Sequence, residues 1–324
     1  MLALHPGSLE YAGVCQLQSA GAQHAKGSPE WAKSIAEVNV HGAGGTVVDP
    51  KLGRRGVLGL LSSMMAHECA PSAVVHISSE ADGSIVSLYT IRQVAAGELI
   101  SISYVASYQP TEIRRGLLSN QHGFTCMCMR CTTLPEHVRA FQCPNCHDGP
   151  CSPTSPSAEC RELVCDACAM TMGLDEEAWG HYARAETSND VSVCMELLHP
   201  FHHRMVKLYQ AQLLKMGGAQ RAQVLQQHAE ARARLYASFS DSSIAHSLVA
   251  NDIEAAAVAC LDAGEVEEAA SLFCEAGNRF AAFYGPVDGP VIGGTADAAR
   301  CLRAARVQSV TEYQALGVEV LAHH

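Results

Sequence analysis

A chain of 324 residues with 48% hydrophobic and 17% charged side chains can bury a sizeable core and has room for about two or three domains. Its formal net charge of −11 argues against general binding of nucleic acid, which calls for clustered Lys and Arg; a basic protein partner fits better. No apolar run approaches the ~20 residues of a membrane-spanning helix, and the start shows neither the charged nor the apolar region of a signal peptide. Of the fifteen cysteines, eight fall into two metal-spaced groups, which points to a reducing compartment, cytoplasm or nucleus, rather than to a secreted disulfide scaffold.

In chain order, residues 1–37 mix Gly, Ala, Ser and Gln, with weak helical hints from Trp31 to Val38, and remain unassigned. His41-Gly42-Ala43-Gly44-Gly45 reads as a loop, and Gly53-Arg54-Arg55-Gly56 as a turn before an apolar helix start at Val57-Leu58. Met64-Met65 reads as core packing. Next comes Ala66-His67-Glu68-Cys69-Ala70-Pro71-Ser72, and later Gly97-Glu98-Leu99-Ile100-Ser101-Ile102-Ser103-Tyr104, a strand-like run that places Ile100, Ile102 and Tyr104 on one face. After Arg114-Arg115 and Phe124 stand Cys126, Cys128 and Cys131. Three thiols within six residues converge on one centre only around a metal or cluster, and a structural zinc site needs a fourth soft ligand. Cys69 is the candidate.

Cys143-Pro144-Asn145-Cys146 and Cys165-Asp166-Ala167-Cys168 are two Cys-x-x-Cys knuckles with eighteen residues between them, the spacing of a zinc ribbon. The insert carrying Cys151 and Cys160 is rich in Pro and Ser, like an exposed loop, and these two thiols read as spare or as substitute ligands. Beyond the ribbon the pattern becomes helical. Phe201, Met205 and Leu208 recur at helical spacing. Ile253, Ala256, Ala257 and Cys260, a break at Asp262-Ala263-Gly264, then Val266, Ala269, Phe273 and Ala276 match the register of a tetratricopeptide (TPR) repeat, with Gly264 free to take the left-handed conformation that ends the first helix. Val224 to Tyr236 and Ala298 to Leu302 read as flanking helices. Ala255-Ala256-Ala257 reads as core.

The motifs from Ala66 to Cys131, in that order, resemble the second half of a SET domain in the SET-and-MYND (SMYD) family of protein lysine methyltransferases. That family reads Asn-His-Ser-Cys-x-Pro-Asn, Gly-Glu-Glu-Leu-x-Ile-Ser-Tyr, an Arg pair, a Phe and Cys-x-Cys-x-x-Cys. Leu197-Leu198-His199-Pro200 and Tyr284-Gly285-Pro286 resemble segments of its C-terminal helical domain. The resemblance implies an α+β fold laid out as the C-terminal half of a SET domain over 38–108, a zinc-bound post-SET region over 109–134, a zinc-ribbon-like segment over 135–180 and an all-α TPR-like domain over 190–324.

It implies S-adenosylmethionine as methyl donor and zinc as the structural metal. The partner would be a Lys-containing protein or peptide, a histone tail being one example, handled by a monomer without nucleic acid or membrane. Tyr104 matches the catalytic tyrosine that orients the lysine amine. His67 and Ala66 match the cofactor-contacting segment, Ala66 standing where the family has Asn, and Phe124 matches the aromatic near the cofactor's adenine. Cys69, Cys126, Cys128 and Cys131 match the post-SET zinc ligands, with Cys143, Cys146, Cys165 and Cys168 as a second set. The family's MYND finger and Gly-x-Gly cofactor turn would lie before residue 38, where no counterpart is recognisable. With Ala66, this makes an inactive SET-like zinc protein acting as an interaction module the alternative expectation.

Overall fold

The computed structural model describes residues 28, 30, 41–42, 56–57, 61–80, 83–240, 246–284 and 293–322. The helical hints between Trp31 and Val38, Ala43-Gly44-Gly45, Gly53-Arg54-Arg55 and Gly285-Pro286 lie outside them. The fold is α+β. The chain divides into two compact units, one within Met1–Val105 and Arg114–Cys126, the other within Ala106–Ile113 and Met127–His324.

In the first unit, β1 (His41–Gly42) pairs antiparallel with β2 (Gly56–Val57). Val57, expected at a helix start, is therefore in a strand: it lies opposite His41, and its backbone groups serve a ladder. A single 3₁₀ turn covers Ser62–Met64 and buries Ser62, leaving Met64 52% exposed. Met64 is thus not core, because so short a turn has one inward side and the serine occupies it.

Strand β3 (Ala66–His67) runs parallel to β6 (Ser101–Ile102), with Ala66 opposite Ser101 and His67 opposite Ile102. Between them in sequence, β4 (Ala73–Glu80) and β5 (Gly83–Thr90) form an antiparallel pair from Ala73 opposite Thr90 to Glu80 opposite Gly83. The face shared by Ile100, Ile102 and Tyr104 is not buried along its whole length. Ile102 is buried but Ile100 is 39% exposed, and Ser101 is buried from the other face. The reason is polar: the Ser101 backbone N–H donates to Ser72 Oγ at 2.8 Å, the Ser72 N–H donates to Ser101 Oγ at 3.1 Å, and Ser101 Oγ donates to Glu68 Oε2 at 2.9 Å. A buried serine is tolerated once its hydroxyl is satisfied. Helix α1 (Thr111–His122) follows.

The second unit opens with the short α2 (Met129–Thr132). A four-stranded antiparallel sheet then runs in the order β10-β9-β8-β7, made of β7 (Phe141–Gln142), β8 (Pro150–Pro153), β9 (Glu162–Cys165) and β10 (Thr171–Gly173). This sheet does not stand alone. Helices α3 (Glu176–Thr187), α4 (Val191–Leu197) and α5 (His203–Gln212) share one core with it, in which Phe141, Cys151 and Leu163 of the sheet meet Tyr182, Ala185, Leu198 and Met205. Phe141 and Tyr182 meet edge to face, ring centroids 4.8 Å apart. Asp175 caps α3 and Asp190 caps α4, each accepting a backbone N–H near the start of its helix.

Helices α6 (Gly218–Ala237), α7 (Ser247–Asp262), α8 (Val266–Tyr284), α9 (Gly293–Ala304) and α10 (Val310–Ala322) complete the unit. At the predicted register Ile253, Ala256, Ala257, Cys260, Ala269, Phe273 and Ala276 are buried and Val266 is half-buried. Gly264, between α7 and α8, has φ +79°, the left-handed turn expected of it. Arg234 of α6 reaches the ribbon, donating to the His137 carbonyl and to Ser152 Oγ at 2.6 Å each, with a charge-assisted bond to Asp166.

Candidate active site and metal centres

In the first unit, the parallel pairing of β3 with β6 brings His67 beside Tyr104. The Tyr104 backbone N–H donates to His67 Nδ1 at 2.9 Å, and the Tyr104 hydroxyl donates to the Met65 carbonyl. His67 Nε2 lies 3.3 Å from Cys69 Sγ, which lies 3.9 Å from Cys126 Sγ. Aromatic rings close round the tyrosine: His67 at 5.1 Å and His122 at 4.9 Å from its ring centroid, with Phe124 5.9 Å from His67 and 6.4 Å from His122. Phe124 remains 36% exposed, so the cluster has an open aromatic face. Ala66 is exposed at the edge of β3. Arg115 Nε holds the Cys126 carbonyl at 3.0 Å.

Partial burial raises the Tyr104 phenol above its ordinary value, so the group stays protonated at neutral pH and can donate a hydrogen bond. Burial lowers His122 below the usual histidine range, favouring a neutral ring. His122 was not singled out by its sequence. It sits at the last turn of α1, and only its i+2 neighbour Phe124 carried a motif signal.

Two sets of thiols stand close together: Cys69 and Cys126 in the first unit, and Cys143, Cys146, Cys165 and Cys168, which could hold a metal ion, in the second. In the second, all four sulfurs lie within 4.8 Å of one another, with Cys143 to Cys168 and Cys146 to Cys165 both at 3.7 Å. The two knuckles repeat one backbone form. His147 N–H donates to the Cys143 carbonyl and Ala169 N–H to the Cys165 carbonyl, both at 3.0 Å, and His147 and Ala169 take left-handed φ values of 60° and 56°. That turn aims backbone N–H groups at sulfur, as with Cys146 N–H to Cys143 Sγ at 3.5 Å. The amide of Cys146 is the main cause that brings the Cys143 thiol down to about 6, and the Asn145 side chain is the main cause lowering Cys168.

Four soft sulfur donors fit zinc, although burial pushes the Cys165 thiol up to about 11. Gly149 belongs to this geometry, since a Cβ there would stand 2.5 Å from Ala167 Cβ and 2.8 Å from Cys165 Sγ. Cys151 lies opposite Cys165 in the sheet and Cys160 contacts Thr154; neither joins the metal-competent group.

A third group, Glu186, His202 and His203, also brings ligand atoms together; it was not singled out in the sequence, where the adjacent histidines are its one local mark. Its hydrogen bonds assign it a structural role. His202 Nδ1 accepts the Arg204 N–H at 3.0 Å, capping α5, so Nε2 bears the proton and donates to Glu186 Oε1 at 3.0 Å. Arg139 grips both Glu186 oxygens at 2.8 and 2.7 Å. Burial alone would raise the Glu186 carboxyl, but the bonds from His202 and Arg139 outweigh it and hold it at about 2.

No family model matches the chain. N-lysine methyltransferase SMYD2 of Sus scrofa is 28% identical over 117 residues, which is 36% of this chain and 26% of that protein. SMYD2 of Homo sapiens is 30% identical over 100 residues, 31% of this chain and 22% of its own. The putative SET domain-containing protein L678 of Acanthamoeba polyphaga mimivirus is 37% identical over 65 residues, 20% and 24% of the two chains. The chain spans about a quarter of the length of these curated relatives. Over about a third of its length the chain is similar, at modest identity, to SMYD SET-domain proteins, which supports an SMYD/SET-family relationship.

Proposed function

We propose that this protein is an S-adenosylmethionine-dependent protein-lysine N-methyltransferase in which Tyr104 orients the substrate amine. The observation that carries this reading is the placement of Tyr104 among His67, His122 and the exposed Phe124, joined to Cys69 by two hydrogen bonds through the His67 ring. The methyl donor supplies an activated methyl group on sulfonium sulfur. The protein has to hold a neutral lysine amine in line with that carbon and keep its lone pair directed. A protonated phenol fixed through the Met65 carbonyl is suited to that task, and the open face of Phe124 to stacking on a planar heterocycle. Zinc bound by Cys69 and Cys126 would hold the backbone beside His67 and Phe124. The substrate is a Lys-containing protein or peptide, such as a histone tail, and the net charge of −11 favours a basic one. The setting is the cytoplasm or nucleus, with the protein acting as a monomer.

One observation favours a second reading. Ala66 replaces an amide side chain and offers no polar group to the methyl donor; a lost bond to a charged group is worth roughly 1.5–3 kcal/mol, or about 10- to 150-fold in affinity. On that reading the chain is an inactive SET-like zinc protein, and the TPR-like helices supply its interaction surface, a groove of about 300 Å³ lined by Glu230, Ile253, Glu268, Leu272 and Glu275. Calorimetric titration of the zinc-loaded chain with S-adenosylmethionine separates the two. Saturable micromolar binding, unchanged in Tyr104→Phe, supports the enzyme; no binding at millimolar donor sinks it.

A further inference from the structure

His67 uses both ring nitrogens. Nδ1 receives the backbone N–H of Tyr104 at 2.9 Å, and since an amide nitrogen can only donate, Nδ1 must present its lone pair and the proton must sit on Nε2. Nε2 is 3.3 Å from Cys69 Sγ, so the sulfur is the acceptor in that contact. Accepting is what a thiolate ligand does. His67 and Cys69 are two residues apart and their side chains meet at 3.3 Å, and the register of His67 opposite Ile102 carries Tyr104 into reach.

We propose that His67 is a positioning residue that couples the Cys69 thiolate to the tyrosine. Its Nε2–H steadies the Cys69 thiolate, while its Nδ1 fixes the backbone from which the Tyr104 phenol projects. The inference rests on the reading of Cys69 as a zinc ligand. Partners of this kind orient metal ligands, and their loss typically weakens metal binding about 10- to 100-fold. Loss of zinc should then be felt at the Tyr104 amide through a single ring, without any part of the methyl donor being present.

Two substitutions divide the ring's two bonds. In His67→Asn the side-chain amide stands at the place of Nδ1, keeping an acceptor for Tyr104 and losing the donor to Cys69. In His67→Gln the amide nitrogen reaches the place of Nε2, keeping the donor to Cys69 and losing the acceptor. With the full, zinc-loaded chain, zinc affinity is measured by chelator competition, Cys126→Ser marking which zinc belongs to Cys69, and hydrogen exchange is followed at the Tyr104 amide. The expected result is a 10- to 100-fold loss of zinc affinity in His67→Asn with the Tyr104 amide still protected, near wild-type affinity with faster Tyr104 exchange in His67→Gln, and faster Tyr104 exchange in the wild-type chain once zinc is stripped. Unchanged zinc affinity in His67→Asn, or equal losses in both variants, overturns the coupling. If Cys126→Ser loses no zinc, the ligand reading falls and takes this inference with it, a failure already visible before either His67 variant is compared.

Discussion

Replacing His228 by leucine should flatten the acid sensitivity of the second unit. His228 lies in α6, is 4% exposed, and its Nε2 has no hydrogen-bond partner among the described residues. Burial, aided by the Arg232 charge, brings its pKa from 6.5 down to about 4. The unfolded chain therefore takes up a proton as pH falls through 6.5, while the folded chain resists until about 4. Between those values the unfolded state binds more protons, and stability drops as pH falls. Integrated from pH 7 to pH 5, one such group costs about 2 kcal/mol. Leucine fills similar volume and removes a buried unpaired nitrogen, so the variant should match or exceed the wild type at pH 7. Urea unfolding at both pH values gives the difference between wild type and variant, in which acid release of zinc common to both cancels. That difference should grow by about 2 kcal/mol towards pH 5 in favour of His228→Leu; parallel losses in the two proteins would refute the buried, neutral histidine.

Further outcomes follow from the same packing. Purified chain should carry two zinc ions and Cys165→Ser one, counted by metal analysis after gel filtration. Gly149→Ala, whose methyl would stand 2.5 Å from Ala167 Cβ, should lose the ribbon's zinc to a chelator sooner than wild type. Arg139→Met leaves the Glu186 carboxylate with one partner in a mostly buried site, at a cost of about 3–5 kcal/mol by urea unfolding, and should raise the Glu186 pKa measured by carboxyl NMR. Gly264→Ala forces a side chain into φ +79° and should lower stability by about 1–2 kcal/mol with no change in zinc content.

Much was legible from short-range signals. The Cys-x-x-Cys knuckles constrain their own backbone, so spacing alone implied the group that Cys143, Cys146, Cys165 and Cys168 form. The α7–α8 hairpin was readable because small residues at helical spacing and a glycine at the break are local properties, and Gly264 took its left-handed turn. Misreadings arose where a local pattern had no local competitor to weigh. Met64 looked apolar enough for a core but sits on a one-turn element, and the burial of Ser101 beside Ile102 could not be read locally because its partners Ser72 and Glu68 are about thirty residues away.

The sequence by itself thus determined the kinds of chemistry present: thiols at zinc spacing, a strand ending in Tyr104, and helices with small-residue seams. Each follows from backbone periods of a few residues and from ligand types that do not depend on distant context. Only the tertiary structure decided that the ribbon shares a core with α3 to α5, that His122 stands 4.9 Å from Tyr104, and that His67 faces Tyr104 with one nitrogen and Cys69 with the other. Those arrangements depend on which buried groups find partners across tens of residues, and burial makes an unsatisfied hydrogen bond costly enough to choose among registers that the local pattern leaves equal.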